Sequence, residues 1–331
     1  MLEKVFKLRE NGTDVKTVVI AGITTVMTMA YILAVNPSIM SAAGMDSGAV
    51  FTATALAALL GTVLMAVFAN YPFALAPGMG LNAYFAYTVV GVYGYSWKVA
   101  LTAVFAEGII FIILSATNVR EAIFNAIPKN LKAAVSVGIG LFIAFIGLQN
   151  AKIVIGGSTL LQLYSLDNYN AANGVKATFH DVGITVLLAI IGILITGILV
   201  IRNIKGNILW GILITWLLGI GCQFAGIYVP NPDVGFYSLL PDFSNGLSIP
   251  SIAPVFAKLD FHSMFSLNFI VVVFAFLFVD MFDTIGTLIG VSSKANMLDE
   301  DGKLPHIKGA LMADAVATTA GAVLGTSTTT T

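Results

Sequence analysis

The sequence predicts an all-α polytopic membrane protein. Hydrophobic residues make up 58% of the 331-residue chain and charged residues only 10%, whereas a soluble domain has roughly 25% charged residues. Several apolar runs approach or exceed the length that is typical of a transmembrane helix, about 18 residues with few charges. One run is broken by Pro and Gly near its middle, and another carries two carboxylates. The chain is therefore expected to cross a bilayer many times.

The remaining composition excludes several kinds of site. A net charge of −1 gives no reason to expect nucleic-acid binding. The single cysteine, Cys222, excludes an intrachain disulfide and a Cys-rich metal site, and the scattered His180, His262 and His306 argue against a histidine metal site. The first hydrophobic run has no small-residue cleavage site, so no signal peptide is expected. Residues 1–16 are expected to lie as a cytoplasmic amphipathic segment at the membrane interface.

Eight regular apolar runs follow in order. They are expected to be spans at about 17–36, 49–69, 98–117, 132–149, 182–201, 207–228, 266–292 and 308–324. The first is expected to end at Asn36-Pro37. A polar loop is expected at 150–180, and the loop at 229–263 contains five prolines, which indicates an ordered external loop.

The broken run, about 71–90, is interrupted by Ala76-Pro77-Gly78-Met79-Gly80. Pro and Gly break a helix at such a point. Irregular backbone at membrane depth is tolerated only where it is buried in protein or lines a cavity. Such an interruption also points to a transporter's binding site. A re-entrant loop or a plain kinked helix remains an alternative.

The distribution of Lys and Arg favours a crossing. If the broken run crosses and the N-terminus is cytoplasmic, twelve of the 16 basic residues lie on the cytoplasmic side, and only Lys98, Lys152, Lys176 and Lys258 lie outside. A re-entrant run would divide them evenly. The positive-inside rule therefore predicts that the broken run spans the membrane.

A weak internal repeat relates ALAALLGTVLMAVFANYP to ALMADAVATTAGAVLGTSTTTT. An odd number of spans separates related segments, so the two copies are expected to have inverted topology, as in many secondary transporters. The second copy of the broken run would begin near Gly325. The chain is therefore expected to be a fragment of a two-repeat protein.

Asp280 and Asp283 lie in the middle of the apolar run 274–291. Each carboxylate costs about 2.5–3.5 kcal/mol at a bilayer centre on an insertion scale. Three residues apart on a helix, they share a face, on or near which Thr284 and Thr287 also lie. No Lys or Arg is expected deep in a span, and burial disfavours the charged form of an unpaired carboxylate. This pattern predicts a polar, cation-sensitive site.

Two further acids, Glu107 and Asp314, fall within spans. Glu107 is expected to be structural. Asp314 is expected to contact a neighbouring helix, with a secondary role in the site left open.

Three motifs carry a resemblance to a known family: APGMGLNAYFAY, FVDMFDTIGTLIGV and GTSTTTT. Together they resemble the AzgA-like adenine/guanine/hypoxanthine permeases of the nucleobase–cation symporter-2 superfamily, which has the uracil-transporter fold. The resemblance extends over the whole chain. It implies fourteen spans in two inverted seven-span repeats, about nine or ten of them present here, with short strands of spans 3 and 10 meeting at mid-membrane.

The resemblance also implies a domain arrangement. A cytoplasmic segment at 1–16 is followed by core spans 1–4 at 17–118, gate spans 5–7 at 130–228, an external loop at 229–263 and the start of the second repeat at 264–331. An acidic position early in span 10 lies beyond Thr331. The fragment alone is therefore not expected to transport.

By resemblance, the function is import of purine bases by symport with protons and alternating access, in the cell membrane, by a protein that is not an enzyme. No cofactor is expected. The coupling ion is H⁺, with Na⁺ as the alternative, and a homodimer is left open. Asp280, Asp283 and Asn82 occupy positions that the family uses for purine binding and proton coupling.

Each assigned role has a plainer alternative. Asp280 is interpreted as a substrate ligand, otherwise a proton site or structural acceptor. Asp283 is interpreted as the coupling-proton residue or a partner of Asp280, otherwise a polar helix contact. Asn82 lines the site or caps the half-helix.

The broken run and its neighbours add further candidates. Backbone groups at Gly78 and Gly80 could bond a base directly, and Phe276 could stack on one or simply pack. Residues 326–331 are expected to form a strand that faces the segment near Ala76.

Three other functions fit the sequence less well. An anion transporter of the same fold would place basic residues or helix N-termini at the site, whereas the mid-membrane charges expected here are negative. An intramembrane aspartyl protease needs two Asp on different helices. Neither the repeat nor the broken span argues specifically for a channel.

Overall fold

The computed structural model describes residues 6, 8, 12–117, 119–126, 128–157, 160–204, 206–240, 248–262, 264–299 and 304–331. The chain forms two compact units, Met1–Phe142 with Ile249–Thr331 (unit 1) and Ile143–Ser248 (unit 2). Most of the predicted segment 1–16 and part of the predicted loop 229–263 lie outside the described residues.

Unit 1 is mainly helical. Its helices are α1 (Val15–Met29), α2 (Ile32–Ala42), α3 (Ser47–Ala69), α4 (Met79–Ala83), α5 (Trp97–Ala116), α6 (Val119–Ala126), the first part of α7 (Lys129–Asn150), α11 (Leu267–Lys294) and α12 (Ile307–Leu324). A π-helix, Tyr84–Val92, continues α4. Strands β1 (Ala76–Pro77) and β4 (Thr329–Thr330) complete the unit.

Unit 2 contains the rest of α7, a hairpin and three further helices. The hairpin pairs β2 (Val154–Gly156) with β3 (Leu161–Leu163). The helices are α8 (Leu166–Asn173), α9 (Ile184–Ile201, preceded by a π turn at Phe179–Gly183) and α10 (Asn207–Phe224). α9 and α10 pack closely because glycines on each helix face threonines on the other.

The fold class is confirmed: seven helices among the described residues are long and apolar enough to cross a membrane. They correspond to all the predicted regular spans except 132–149. That span corresponds to α7, of which Val137–Asn150 is a shorter apolar helix, and the broken run corresponds to Met79–Val92. The inverted repeat and the core and gate assignment remain predictions.

Two predicted boundaries were wrong. Pro37 lies inside α2 instead of ending the first span, and the interruption comes earlier, between α1 and α2. α10 ends at Phe224 instead of about 228.

Several apolar helices begin at a residue that satisfies a free backbone N–H of the first turn. The side chain of Asp46 accepts from Ala49 N at 2.7 Å, and those of Ser96 and Ser266 cap α5 and α11. α12 ends at Gly325, whose φ of +96° is unfavourable for residues with a side chain. The chain then turns directly into β4.

α12 lies at the centre of unit 1 and packs against α3 and α5. Gly309 of α12 lies so close to α3 that an added Cβ would be 2.2 Å from the backbone oxygen of Phe68. Gly108 of α5 approaches the backbone of Thr319 in the same way. The second approach holds the helices that carry Glu107 and Asp314 against each other.

The second half of the loop at 229–263 is ordered on unit 1. Thr52 donates to the carbonyl of Pro250 at 2.7 Å, and the hydroxyl of Thr102 accepts from the N–H of Asp260 at 2.7 Å. These bonds tie residues 248–262 to α3 and α5.

Candidate functional site

Two short strands meet in the interior of unit 1. β1 pairs antiparallel with β4, in the register Ala76 with Thr330 and Pro77 with Thr329. Of the strand expected at 326–331, only Thr329–Thr330 is strand, and it faces the broken run as the sequence predicted. Backbone polar groups deep in the protein need partners, and this two-residue ladder supplies some of them where helix is interrupted.

Gly78 is closely surrounded. Its N–H donates to the carbonyl of Thr328 at 3.0 Å, and its carbonyl accepts from the N–H of Asn82 at 2.9 Å. An added Cβ would lie 2.8 Å from Cγ2 of Thr330 and 3.4 Å from Oδ2 of Asp283. Both backbone groups of Gly78 are thus engaged within the protein, and the carboxylate of Asp283 lies beside them.

Asn82 joins three segments through a buried amide network. Its Nδ2 donates to Oδ1 of Asn36 at 2.7 Å, and its Oδ1 accepts from the hydroxyl of Ser327. Asn36 in turn donates to the hydroxyls of Thr54 and Thr326, at 2.7 and 2.8 Å. The sequence analysis placed Asn82 here but missed Asn36, whose position next to Pro37 was interpreted only as the end of a span.

Asp280 is fully buried on α11. Its Oδ1 accepts from the hydroxyl of Thr284 at 3.3 Å. The carboxyl group of Glu107 is also fully buried and interacts electrostatically with that of Asp280, and its Oε2 accepts from the hydroxyl of Thr328 at 3.2 Å. Because a carboxylate is only an acceptor, a bond between two carboxyl groups requires that one of them carries a proton.

Glu107 therefore belongs to the same buried group of carboxyls as Asp280, whereas the sequence analysis expected it to be structural. The oxygens Glu107 Oε1 and Asp280 Oδ2 have no fixed donor among the residues that the structure describes. The signal available in the sequence was an acid inside an apolar span. Which neighbouring helix that acid faces is decided only by packing.

Asp314 forms an ion pair that the sequence analysis did not predict. Arg120 lies on α6, is only 2% exposed, and its Nη2 is 2.7 Å from Oδ2 of Asp314. The expectation that the carboxylates within spans are unpaired is therefore wrong for Asp314. Arg120 is in a short helix after the span of α5. Its long side chain reaches back between the helices, where its guanidinium carbon lies 3.8 Å from the centroid of the Phe111 ring.

Phe276 and Gly80 lie nearby in different surroundings. The ring of Phe276 is buried and makes an edge contact with Tyr84, with ring centroids 4.9 Å apart. An added Cβ at Gly80 would be 2.8 Å from the ring of Phe142. Phe276 thus packs in the core next to the π-helix, one turn before Asp280 on the same helix.

The arrangement combines acceptors, donors and a titratable pair in one interior region. Carboxyl groups come from α5, α11 and α12, and the amide of Asn82 comes from the half-helix after β1. Within the described part of the chain, no three His, Cys, Asp or Glu side chains are grouped so that they could hold a metal ion. Chemically, the region can accept hydrogen bonds from a neutral ligand and hold a proton.

Comparison with known proteins identifies the family. A model of the permease family matches residues 16–331. The chain belongs to this family. A Methanocaldococcus jannaschii protein named as a permease is 49% identical over 331 residues, which is all of this chain and 69% of the relative.

Two further relatives carry more specific names. The adenine permease AdeP of Escherichia coli is 40% identical over the whole chain, which covers 68% of AdeP. The guanine/hypoxanthine permease PbuO of Bacillus subtilis is 43% identical over 327 residues, or 98% of the chain and 70% of PbuO. The resemblance to adenine/guanine/hypoxanthine permeases is therefore confirmed.

Proposed function

We propose that this permease-family chain imports purine nucleobases, with adenine, guanine and hypoxanthine as substrates, by symport with protons and alternating access. It would act in the cell membrane with a cytoplasmic N-terminus, as a transporter and not as an enzyme. Relatives named as adenine and as guanine/hypoxanthine permeases support the substrate class. The full burial of the carboxyl groups of Glu107 and Asp280 beside a broken crossing, with Glu107 bonded to Thr328, is the observation that carries the mechanism.

The chemistry of a purine fits these side chains. A purine presents a ring N–H, and adenine and guanine add an exocyclic amino group. Asp280 on a rigid helix can accept from such donors, and its Oδ2 has no fixed donor among the described residues. Asn82 offers both a donor and an acceptor, which a base can use once it replaces the hydroxyl of Ser327 or the amide of Asn36.

Proton coupling follows from the same carboxyl groups. When Asp280 accepts from a base, the proton that it shares with Glu107 must be held by one of the two groups. Asp283 lies beside Gly78, at the junction of the broken run and α11, and is assigned as the second proton-coupling residue. In symport, the base and the proton are then bound at neighbouring side chains and are carried inward in the same conformational change.

The anion-transporter alternative is not favoured by the geometry. Arg120 is the only buried cation among the described residues, and its charge is committed to Asp314 at 2.7 Å. An anion would have to displace that carboxylate.

The test is uptake of labelled adenine, guanine, hypoxanthine and uracil by cells that lack their own purine uptake and express the full gene product. We expect saturable uptake of at least one purine, abolished by a protonophore and maintained when Na⁺ is replaced. Asp280→Asn should reduce uptake by at least about tenfold, since a hydrogen bond to a charged group contributes about 1.5–3 kcal/mol. Asp167→Asn on exposed α8 is the matched control.

The substrate proposal fails if no purine accumulates. The assignment of Asp280 fails if Asp280→Asn transports as well as the wild type. Retention of uptake in protonophore with loss on Na⁺ removal would replace H⁺ by Na⁺ as the coupling ion.

A further inference from the structure

Arg120 makes more contacts than a simple ion pair requires. Nη1 donates to the carbonyl of Leu311 at 3.0 Å, and Nη2 donates to Oδ2 of Asp314 at 2.7 Å and lies 3.4 Å from the hydroxyl of Thr284. The guanidinium is a planar group with donors in a fixed fork. It is therefore held in one orientation by α11 and α12, the two helices that carry Asp280 and Asp314.

Thr284 is the junction between the two acids. Its hydroxyl lies 3.1 Å from Oδ2 of Asp314 and 3.3 Å from Oδ1 of Asp280. The hydroxyl of Thr330 in β4 is also 3.3 Å away. A threonine hydroxyl has only one proton to donate, so Asp280 and Asp314 compete for it.

We propose that Arg120 is a positioning residue that decides this competition. By donating to Asp314, Arg120 satisfies the carboxylate oxygen that faces Thr284. The hydroxyl proton of Thr284 is then free for Asp280, which is held in the orientation that leaves Oδ2 available. Arg120 acts on the substrate site through Thr284 and touches no base itself. This inference rests on the proposed function only for its transport readout.

The distribution of buried charged side chains also supports the positioning role of Arg120. Glu107, Asp280 and Asp314 are fully buried, and Arg120 is the one buried cation in the described part of the chain. Removing Arg120 alone would leave Asp314 as an uncompensated buried charge. That carboxylate would then attract the proton of Thr284 away from Asp280.

The experiment compares Arg120→Gln, Thr284→Val and the double variants Arg120→Gln/Asp314→Asn and Arg120→Gln/Thr284→Val. For the purine that the wild type takes up, we expect Arg120→Gln to raise KM by about 10–100-fold, which corresponds to one hydrogen bond to a charged group. Arg120→Gln/Asp314→Asn removes the competing anion and should recover most of the wild-type KM. Arg120→Gln should add little to the KM of Thr284→Val, because the contested hydroxyl is already absent.

Three results would overturn the proposal. An unchanged KM in Arg120→Gln, with only less protein in the membrane, would show a purely structural role. Failure of Asp314→Asn to recover KM would indicate that Arg120 contacts the base. Additive effects of Arg120→Gln and Thr284→Val would show that the two side chains act independently.

The same double-variant comparison is made on the melting temperature of the purified chain without substrate. There, the losses caused by Arg120→Gln and Thr284→Val should again be less than additive. This measurement decides the coupling between Arg120 and Thr284 even if the wild type transports no purine, so failure of the proposed function and failure of this inference are distinguishable.

Discussion

At the scale of single residues, the buried polar side chains of unit 1 are connected through hydroxyl and amide groups. Asn82 bonds Asn36 and Ser327, while Thr284 lies between Asp280 and Asp314. A buried polar group that loses its partner incurs its full desolvation cost. Single changes in this region are therefore expected to affect stability and the site together.

Asn82→Leu should lower both the stability of the protein and its purine uptake. It leaves Oδ1 of Asn36 and the hydroxyl of Ser327 without a partner, at about 1–3 kcal/mol for each unsatisfied group. We expect a lower melting temperature and loss of purine uptake. Asn170→Leu, which breaks local bonds to Ala177 in unit 2, is the comparison: it should lower stability without changing the KM of the remaining transport. If wild type and Asn82→Leu have the same KM, Asn82 does not take part in substrate binding.

Glu107→Gln tests the carboxyl pair. The amide keeps the size of the side chain and can still accept from Thr328, but it offers Asp280 a permanent donor in place of a shared proton. We expect uptake to lose part of its dependence on external pH between mildly acidic and mildly alkaline conditions, because the amide cannot exchange a proton, whereas Asp283, Asp314 and Arg120 are unchanged and Asp283 retains the rest. A pH profile that matches the wild type would show that Glu107 holds no coupling proton.

Among the secondary-structure elements, the important feature is that two short strands interrupt the helical structure. β1 and β4 each have only two residues, and β1 is followed, and β4 preceded, by a helix. Gly61 and Gly321 occupy corresponding places in the weak internal repeat, and each lies against side chains of the β4 segment, at Thr329 in both cases. Small residues thus let α3 and α12 approach the strands closely.

Gly78→Ala should separate the two strands. Its φ of −77° is accessible to alanine, so the effect is steric: the new methyl group would be 2.8 Å from Cγ2 of Thr330. Overpacking of this kind costs about 1–3 kcal/mol. We expect reduced uptake and a lower melting temperature.

Thr330→Ser supplies the matched rescue for Gly78→Ala. Serine lacks Cγ2 but keeps the hydroxyl that lies 3.3 Å from Thr284. The double variant Gly78→Ala/Thr330→Ser should therefore regain uptake. If it transports no better than Gly78→Ala, contact with the β4 side chain is not the cause.

At the scale of the whole molecule, all the proposed site residues lie in one compact unit. The residues come from regions far apart in the chain, before Phe142 and after Ile249, and the intervening part forms the second unit. Within unit 1, α12 packs between α3 and α5 and brings the end of the chain to the broken run.

Introduced cysteines test whether the broken run crosses. In a Cys222→Ser background, Asp167→Cys should react with a membrane-impermeant maleimide from outside intact cells, and Lys294→Cys only after the membrane is permeabilised. Both positions are exposed. A re-entrant run would reverse this pattern, with Lys294→Cys labelled from outside. Labelling of both cysteines from the same side of the membrane would contradict the predicted number of crossings between residues 167 and 294.

The membrane class, the approximate spans, the break at Ala76 to Gly80 and the presence of acids within apolar runs could all be predicted from the amino-acid sequence. Each of these is visible because hydropathy and Pro or Gly content are local properties of the chain. The three family motifs extended this to the strand pairing of β1 and β4, which the structure confirms.

Which polar groups meet could be seen only once the helices were packed in the folded chain. Glu107 faces Asp280, Asn36 supports Asn82, and Arg120 turns back from a short helix to pair with Asp314. None of these pairs is close in sequence. In a helix that is apolar on all sides, the sequence has no periodic pattern that shows which way a given side chain points. The partners of a buried charge depend on how helices pack against each other, and that packing is a property of the folded chain.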